Sequence, residues 1–377
     1  MAPDYAGGSL LNLMASIVAA RGGTPLHLPL KNISLKHARN LVLVIIDGLG
    51  DNYLQKRGAG GELARRRRMA MTSVFPSTTA SAITTTYTGA APLEHGLTGW
   101  FTYFGEAGYV AAPLPFRTRG GNVPLRETGF TPERAFVSPT VFQAVPVKSI
   151  VVTHKDIVDS DYNVRHCRGA ERRAYGTMDE FIVQIESAVK SDQGRKFVYA
   201  YWPEYDALSH RYGSQSAEAF AEFERIDAAF GELRRRLSGT DSLLLATADH
   251  GFIDVAREES LELPKELASL LRFPLCGERR VAYCHVHSEK QFLEAARGWL
   301  GERADVRPSR ALVDEGWFGP GVPHARFAER IGDVTLLMRG RYTVKDWIPG
   351  DPRHLHIGNH GGASDDEMMI PLIMEEA

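Results

Sequence analysis

LVLVIIDG, Leu41 to Gly48, is a run of six apolar side chains that stops at an Asp and a Gly. A run that is apolar on both faces of the pleat belongs in the middle of a sheet covered by helices above and below, the setting of parallel strands. Three more segments share the same plan: VKSIVVTH (Val147 to His154), KFVYAYWPEYD (Lys196 to Asp206) and SLLLATADHG (Ser242 to Gly251). Helical spacing fills the intervals between them. From Ser214 to Leu237 apolar residues recur at Phe220, Phe223, Ile226, Phe230, Leu233 and Leu237, ending near Gly239. From Met178 to Lys190 the stripe is Phe181, Ile182, Ile185 and Val189. Steps of three and four make one face of a helix. Alternating strands and helices predict an α/β fold with a doubly wound, mostly parallel sheet.

In such sheets ligands bind outside the carboxyl ends of the strands. Asp47, Asp206, Asp249 and His250 all sit at ends of this kind, so four distant residues are expected on one rim.

Outside this frame, the first 40 residues carry an apolar stretch from Leu10 to Ala20, expected to be a short surface helix packed on the body. Asp4 precedes it and no basic residue does, a poor secretory signal, so the expected location is cytoplasmic. Residues 41–377 read as one catalytic domain with two elaborations over the rim. One, at about 90–145, is rich in Gly, Pro and aromatics, including Trp100, Phe101, Tyr103, Phe104 and Tyr109. The other, at about 255–350, begins with a charged helix-like part, continues with the strand-like RRVAYCHVH, and ends in Pro- and Gly-rich loops.

Composition narrows the function. The 377 residues are 44% hydrophobic and 24% charged, and Lys+Arg 44 against Asp+Glu 46 leaves a net charge of −2. A near-neutral chain is not a general polyanion binder, so no stable nucleic-acid partner is expected, and no stretch is long and apolar enough to suggest a membrane span. The expected partner is a small molecule. Three cysteines, Cys167, Cys276 and Cys284, form neither an even disulfide set nor a zinc ribbon, which favours a reducing compartment.

The candidate ligands are Asp47 in IIDGLGD, Asp206 and His210 in YDALSH, Asp249 and His250 in TADHG, and His360 in GNHGG. Asp206 and His210 are four apart, so one helical turn puts both on one face. Three Asp and three His make a mixed oxygen and nitrogen set suited to zinc, manganese or iron rather than calcium. Six ligands exceed the three of a catalytic zinc and suit two metals ~3.5–4 Å apart, an arrangement used for displacement at phosphorus. TSVFPSTTASAITTTYTG, Thr72 to Gly89, supplies hydroxyls from which a nucleophile can come, although most are expected to pack a helix on the sheet.

The ordered set Asp47, a Thr at a helix start, Asp206-x-x-x-His210, Asp249-His250 and His360 resembles the alkaline phosphatase superfamily. Within it the set is most similar to the type I phosphodiesterase/nucleotide pyrophosphatase family, from about Leu41 to Ile373. The resemblance implies that Asp206, His210 and His360 bind one divalent metal and that Asp47, Asp249 and His250 bind another. It implies Zn²⁺, with Mn²⁺ as the alternative. It places the nucleophile ten residues before the Gly that closes its helix, which from Gly89 is Thr79. Neighbouring helical positions are rotated by ~100°, so Thr78 is expected to face elsewhere.

The function implied by the resemblance is that of a two-metal hydrolase of phosphodiester or pyrophosphate bonds in small phosphate esters or nucleotides, working through a phospho-threonine. The alternatives are a phosphomonoesterase, a phosphonate hydrolase, a phosphomutase or, in another class, a non-catalytic metal-dependent binding module. Nucleotide pyrophosphatases carry an Asn shortly after the HG that succeeds the nucleophile helix, and Trp100 stands there in this chain. Thr98 or a backbone N–H is the expected replacement, with Trp100 beside the substrate. His285 and His287 share a strand face, but no acidic partner is near them. His356 competes with His360, which is preferred for its flanking glycines. Arg65 to Arg68 read as a solvated helix face.

Overall fold

The structure, a computed structural model, describes residues 1–35, 38–351 and 354–377. Seven strands form the main sheet: β1 (Asn40–Ile46), β2 (Arg67–Thr72), β3 (Lys148–His154), β4 (Ala170–Tyr175), β5 (Lys196–Trp202), β6 (Ser242–Thr247) and β7 (Met369–Glu376). Their order is β2-β7-β6-β1-β5-β3-β4. From β6 to β4 all pairings are parallel. Strand β7 alone runs antiparallel, against both β6 and β2. The fold is therefore α/β with a mostly parallel sheet, as the apolar runs predict. Strands β1, β5 and β6 are buried at every position, while the edge strands β2 and β4 carry exposed arginines.

The helices that matter here are α1 (Leu10–Ala20), α2 (Thr79–Thr88), α3 (Met178–Lys190), α4 (Glu204–Tyr212) and α5 (Ala217–Leu237). Helix α3 keeps the predicted limits and α5 begins at a Ser216 cap, whose side chain accepts from the Ala219 N–H. Helix α1 departs from expectation. It is not a surface helix: Leu10, Leu11, Leu13, Met14 and Ile17 are fully buried, and it packs on α2. With no charged residue among its eleven, it has no face to offer water. Arg21, beyond its end, donates to the carbonyls of Ala38, Arg39 and Lys196.

The arginine run also departs from its reading. Arg65 ends a one-turn helix and Arg67 and Arg68 lie in β2, with Arg66 paired to Glu62 and Glu375 and Arg67 to Asp51. Neither elaboration is a loop tangle. Residues 102–118 make a three-stranded sheet. Cys276–Gly277, Val281–Cys284, Val334–Met338 and Ala304–Pro308 make a four-stranded antiparallel one, with an apolar cluster around Phe292, Leu300 and Leu336. The charged stretch before it is only a 3₁₀ turn, a short strand and a one-turn helix, interrupted by Pro264. The substantial helix there is Glu289–Leu300, which buries Phe292, Ala296 and Leu300, four apart. The two elaborations join where the backbones of Phe101 and Gly277 exchange hydrogen bonds.

Candidate metal centre and nucleophile

Register brings the site together. Ile46 pairs with Trp202 and Ile45 with Thr247, so Asp47, the first turn of α4 and Asp249 all emerge at one edge. Because β7 runs antiparallel, its first residues lie at that same edge, next to Thr72 of β2. The GNHGG loop enters β7 from there, and the nucleophile segment leaves β2 there. At Gly251 a Cβ would lie 2.1 Å from the carbonyl oxygen of Asp366, so only glycine lets these two loops pack.

All six candidate ligands converge. The Nε2 of His250 lies 3.3 Å from Asp47 Oδ1, 3.5 Å from Asp249 Oδ2 and 3.9 Å from Asp206 Oδ1. Asp206 Oδ1 is 3.5 Å from His210 Nε2 and 3.8 Å from His360 Nε2, and the two imidazole nitrogens are 3.1 Å apart. Two groups of ligand atoms stand within 4.8 Å of one another: Asp47 with Asp249 and His250, and Asp206 with His250 and His360. His210 and His356 both lie outside these two groups; the His210 Nε2 nonetheless faces His360 and Asp206, whereas the His356 ring stands behind, 4.4 Å from that of His210. His285 is remote in role, with Nε2 on the carbonyl of Glu329 at 2.6 Å.

The donor set fits cations. Tyr201 donates to Asp47 Oδ2, and the N–H groups of Gly48 and His250 donate to Asp249 Oδ1. The remaining oxygens, Asp47 Oδ1 and Asp249 Oδ2, are buried with no donor, as is Asp206 Oδ1. His210 and His250 face backbone carbonyls through Nδ1, of Gly358 at 2.9 Å and Gly251 at 3.1 Å. A carbonyl only accepts, so each Nδ1 carries the proton and each Nε2 turns a lone pair to the cluster. Buried lone pairs facing one another without a hydrogen are costly unless a cation lies among them. Burial, then repulsion from Asp206 and Asp249, pushes the Asp47 carboxyl well above its usual range. Burial pulls His360 well below its own and His210 to about 4.

Thr79 is the first residue of α2, and Thr78 is its N-cap. The Thr79 Oγ1 stands 3.1 Å from His250 Nε2 and keeps some exposure, whereas Thr78 is buried. The other hydroxyls of α2 serve packing: Thr84 meets Tyr162, Thr86 meets Tyr199 and Thr85 meets His95. Gly89, at φ 68°, closes the helix.

A cavity of about 420 Å³ opens beside Thr79, Asp206, His210 and His360. Trp100 lines it, 42% exposed. Thr98 does not. It is fully buried with its hydroxyl unpartnered, because the chain between His95 and Trp100 turns that side chain inward. Sequence reading missed Glu278, whose Oε1 accepts from Thr78 Oγ1 and from the Trp100 N–H, both at 2.6 Å. Burial pushes its carboxyl up to about 7. It also missed Tyr201 and Glu367. Glu367 is held by Arg280 and accepts from the Gly362 N–H at 2.8 Å, fixing the loop of His360. The one available signal was CGERR, a charged cluster breaking into an apolar strand.

Comparison with known proteins identifies the family and the fold. The family profile described as "Type I phosphodiesterase / nucleotide pyrophosphatase" matches residues 41–363. Among curated protein sequences none matches significantly. Among solved structures, human ectonucleotide pyrophosphatase/phosphodiesterase 5 is similar at 17% identity and TM-score 0.66, over 89% of this chain and 87% of that one. The murine counterpart, in an inactive form complexed with AMP, gives 15% and 0.66, over 88% and 87%. Phosphonoacetate hydrolase from Sinorhizobium meliloti, in complex with phosphonoacetate, gives 17% and 0.64, over 89% and 90%.

Proposed function

The chain belongs to the type I phosphodiesterase/nucleotide pyrophosphatase family, an enzyme family that hydrolyses phosphoesters, and on that premise we propose a two-metal hydrolase of phosphodiester or pyrophosphate bonds that works through Thr79. The observation that carries the reading is the convergence of three unpartnered carboxylate oxygens and three imidazoles beside one partly exposed hydroxyl.

Asp206, His210 and His360 would hold one ion, and Asp47, Asp249 and His250 the other. Divalent ions held there, Zn²⁺ or Mn²⁺, would supply Lewis acidity favouring the Thr79 alkoxide and offsetting charge on the departing oxygen. The chain's own residues do the rest. Thr79 loses its proton to solvent, and its Oγ bonds to phosphorus as the bond to the leaving oxygen breaks. The leaving group takes a proton from water. Water then attacks the phospho-threonine, and Thr79 departs and regains its proton, so two inversions give net retention. The first turn of α2, with N–H groups that have no partner inside the helix, favours the charge on the phosphoryl oxygens. Tyr201 holds Asp47 in place. Trp100 offers a flat wall for the leaving group. The free, buried thiols of Cys167, Cys276 and Cys284 support a reducing, cytoplasmic setting.

The test is a panel of aryl phosphodiesters, monoesters, nucleoside pyrophosphates and phosphonates, assayed with Zn²⁺ or Mn²⁺. Cleavage of the diesters or pyrophosphates with phosphate label on Thr79 is expected. No turnover of any member would overturn the reading, and product that keeps its phosphate with none released would point to a mutase.

A further inference from the structure

The cavity extends past the candidate ligands to a far wall where, beside the carboxylates of Glu278, Asp346 and Asp351, stand the cations Arg119, Arg279 and Lys345. All three come from the two elaborations. The Val344 N–H donates to the Arg279 carbonyl at 2.9 Å, so Arg279 and Lys345 sit on adjacent extended segments.

The three cations differ in their engagements. Arg119 serves the fold: its Nη2 is 2.6 Å from Asp346 Oδ1 and 2.8 Å from Asp351 Oδ2, and its guanidinium covers the Phe101 ring. Among the described residues Arg279 donates to the carbonyl of His354, at 3.3 Å. The Lys345 Nζ lies 3.9 Å from the centroid of the Trp347 ring. Among the described residues neither makes an ion pair. Glu278, beside Arg279, has its Oε1 taken by Thr78 and the Trp100 N–H. Burial lowers Arg279 to about 10, and burial together with the charge of Arg279 lowers Lys345 to about 8. Asp346 and Asp351, the partners of Arg119, offset part of the charge at Lys345, and Glu278 part of that at Arg279; the positive charge left on this half-buried wall favours a bound anion.

We infer that Arg279 and Lys345 form a subsite for a second anionic group, a phosphate or a carboxylate, carried on the departing part of the substrate. The inference rests on the proposed hydrolase activity. Arg279 offers a planar fork that can bind two oxygens at once, and Lys345 a mobile point charge. One cavity connects them to Thr79, and its volume suits a phosphoryl group, a short linker and an anionic head. The preferred substrate is then one with anions at both ends, rather than a phosphodiester of neutral groups.

The experiment measures kcat/KM for bis-p-nitrophenyl phosphate, ATP and phosphonoacetate with the unmodified enzyme, R279Q and K345Q, at equal metal content. Each substitution should cut the preference for a substrate with an anionic leaving part over the aryl diester roughly 10- to 100-fold, the size of a lost hydrogen bond to a charged group. The loss should fall mainly on KM, and R279K, which keeps the charge but not the fork, should keep only part of the preference. A fall for ATP alone identifies a phosphate subsite, and for phosphonoacetate alone a carboxylate subsite. An unchanged ratio in both variants, equal losses on all three substrates, or an unmodified enzyme that cleaves only the aryl diester would overturn the subsite and leave the hydrolase reading standing. No turnover of any substrate would remove that reading as well.

Discussion

The hydroxyl of Thr79 lies 3.1 Å from Nε2 of His250, while that of its neighbour Thr78 donates to Glu278. One residue of helix separates a side chain aimed at the ligand cluster from one that anchors the cavity wall. Thr79→Ala should lower turnover by about 10³-fold or more and abolish labelling of the enzyme by substrate phosphate. Thr78→Ser keeps the hydrogen bond to Glu278 and should keep most activity. Retained labelling in the Thr79 variant would move the nucleophile elsewhere.

Metal should stabilise this protein visibly. The unpartnered oxygens of Asp47, Asp206 and Asp249 face one another in the folded state without a counter-charge of their own. At a hundredfold excess over its Kd, an ion bound only by the native state adds about 2.7 kcal/mol. Zn²⁺ should raise the thermal midpoint of chelator-treated protein, and Asp249→Ala or His250→Ala should blunt that rise while activity falls by orders of magnitude. An equal rise in the variants would remove these residues from the metal centre.

The pair Arg280–Glu367 is fully buried and bidentate, with Nε and Nη2 at 3.0 and 2.9 Å from the two carboxylate oxygens. Glu367→Ala strands the guanidinium and frees the Gly362 N–H, so unfolding in urea should show a loss of about 3–5 kcal/mol. Metal affinity should fall with it, because His360 sits on the loop released. Adding Arg280→Met should recover stability and leave the affinity loss.

Stability should decline on mild acidification through His166. It is buried against Tyr87, Phe136 and Tyr162, and burial lowers it to about 4 from an ordinary 6.5. Between those values the unfolded chain binds a proton that the folded chain refuses. The contribution is therefore complete above pH 6.5 and is lost as pH falls toward 4, to a total on the order of 3 kcal/mol. Stability of His166→Phe, measured by urea unfolding across that range, should track pH with a slope shallower by about one proton. Parallel curves would assign the acid limb to other groups.

Much of this protein can be read without coordinates, for a physical reason. Burial on both faces writes strands such as Leu41 to Ile46 as unbroken apolar runs, and the first polar residue after each marks the rim. Asp47, Asp249 and His250 were legible on that ground, and the spacing of Asp206 and His210 on the helical turn. Other features depend on contacts between segments far apart in the chain, which leave no periodicity behind. The antiparallel direction of β7 delivers His360, and it is set by which strands pair. The burial of α1 depends on what covers it. Whether Thr98 or Trp100 faces the cavity was decided by the turn between them, and Glu278, Arg279 and Lys345 reach it because the second elaboration folds back over the rim. Local sequence determined the elements and their chemical ends; which of those ends meet was decided by strand order and by loops packed across the rim.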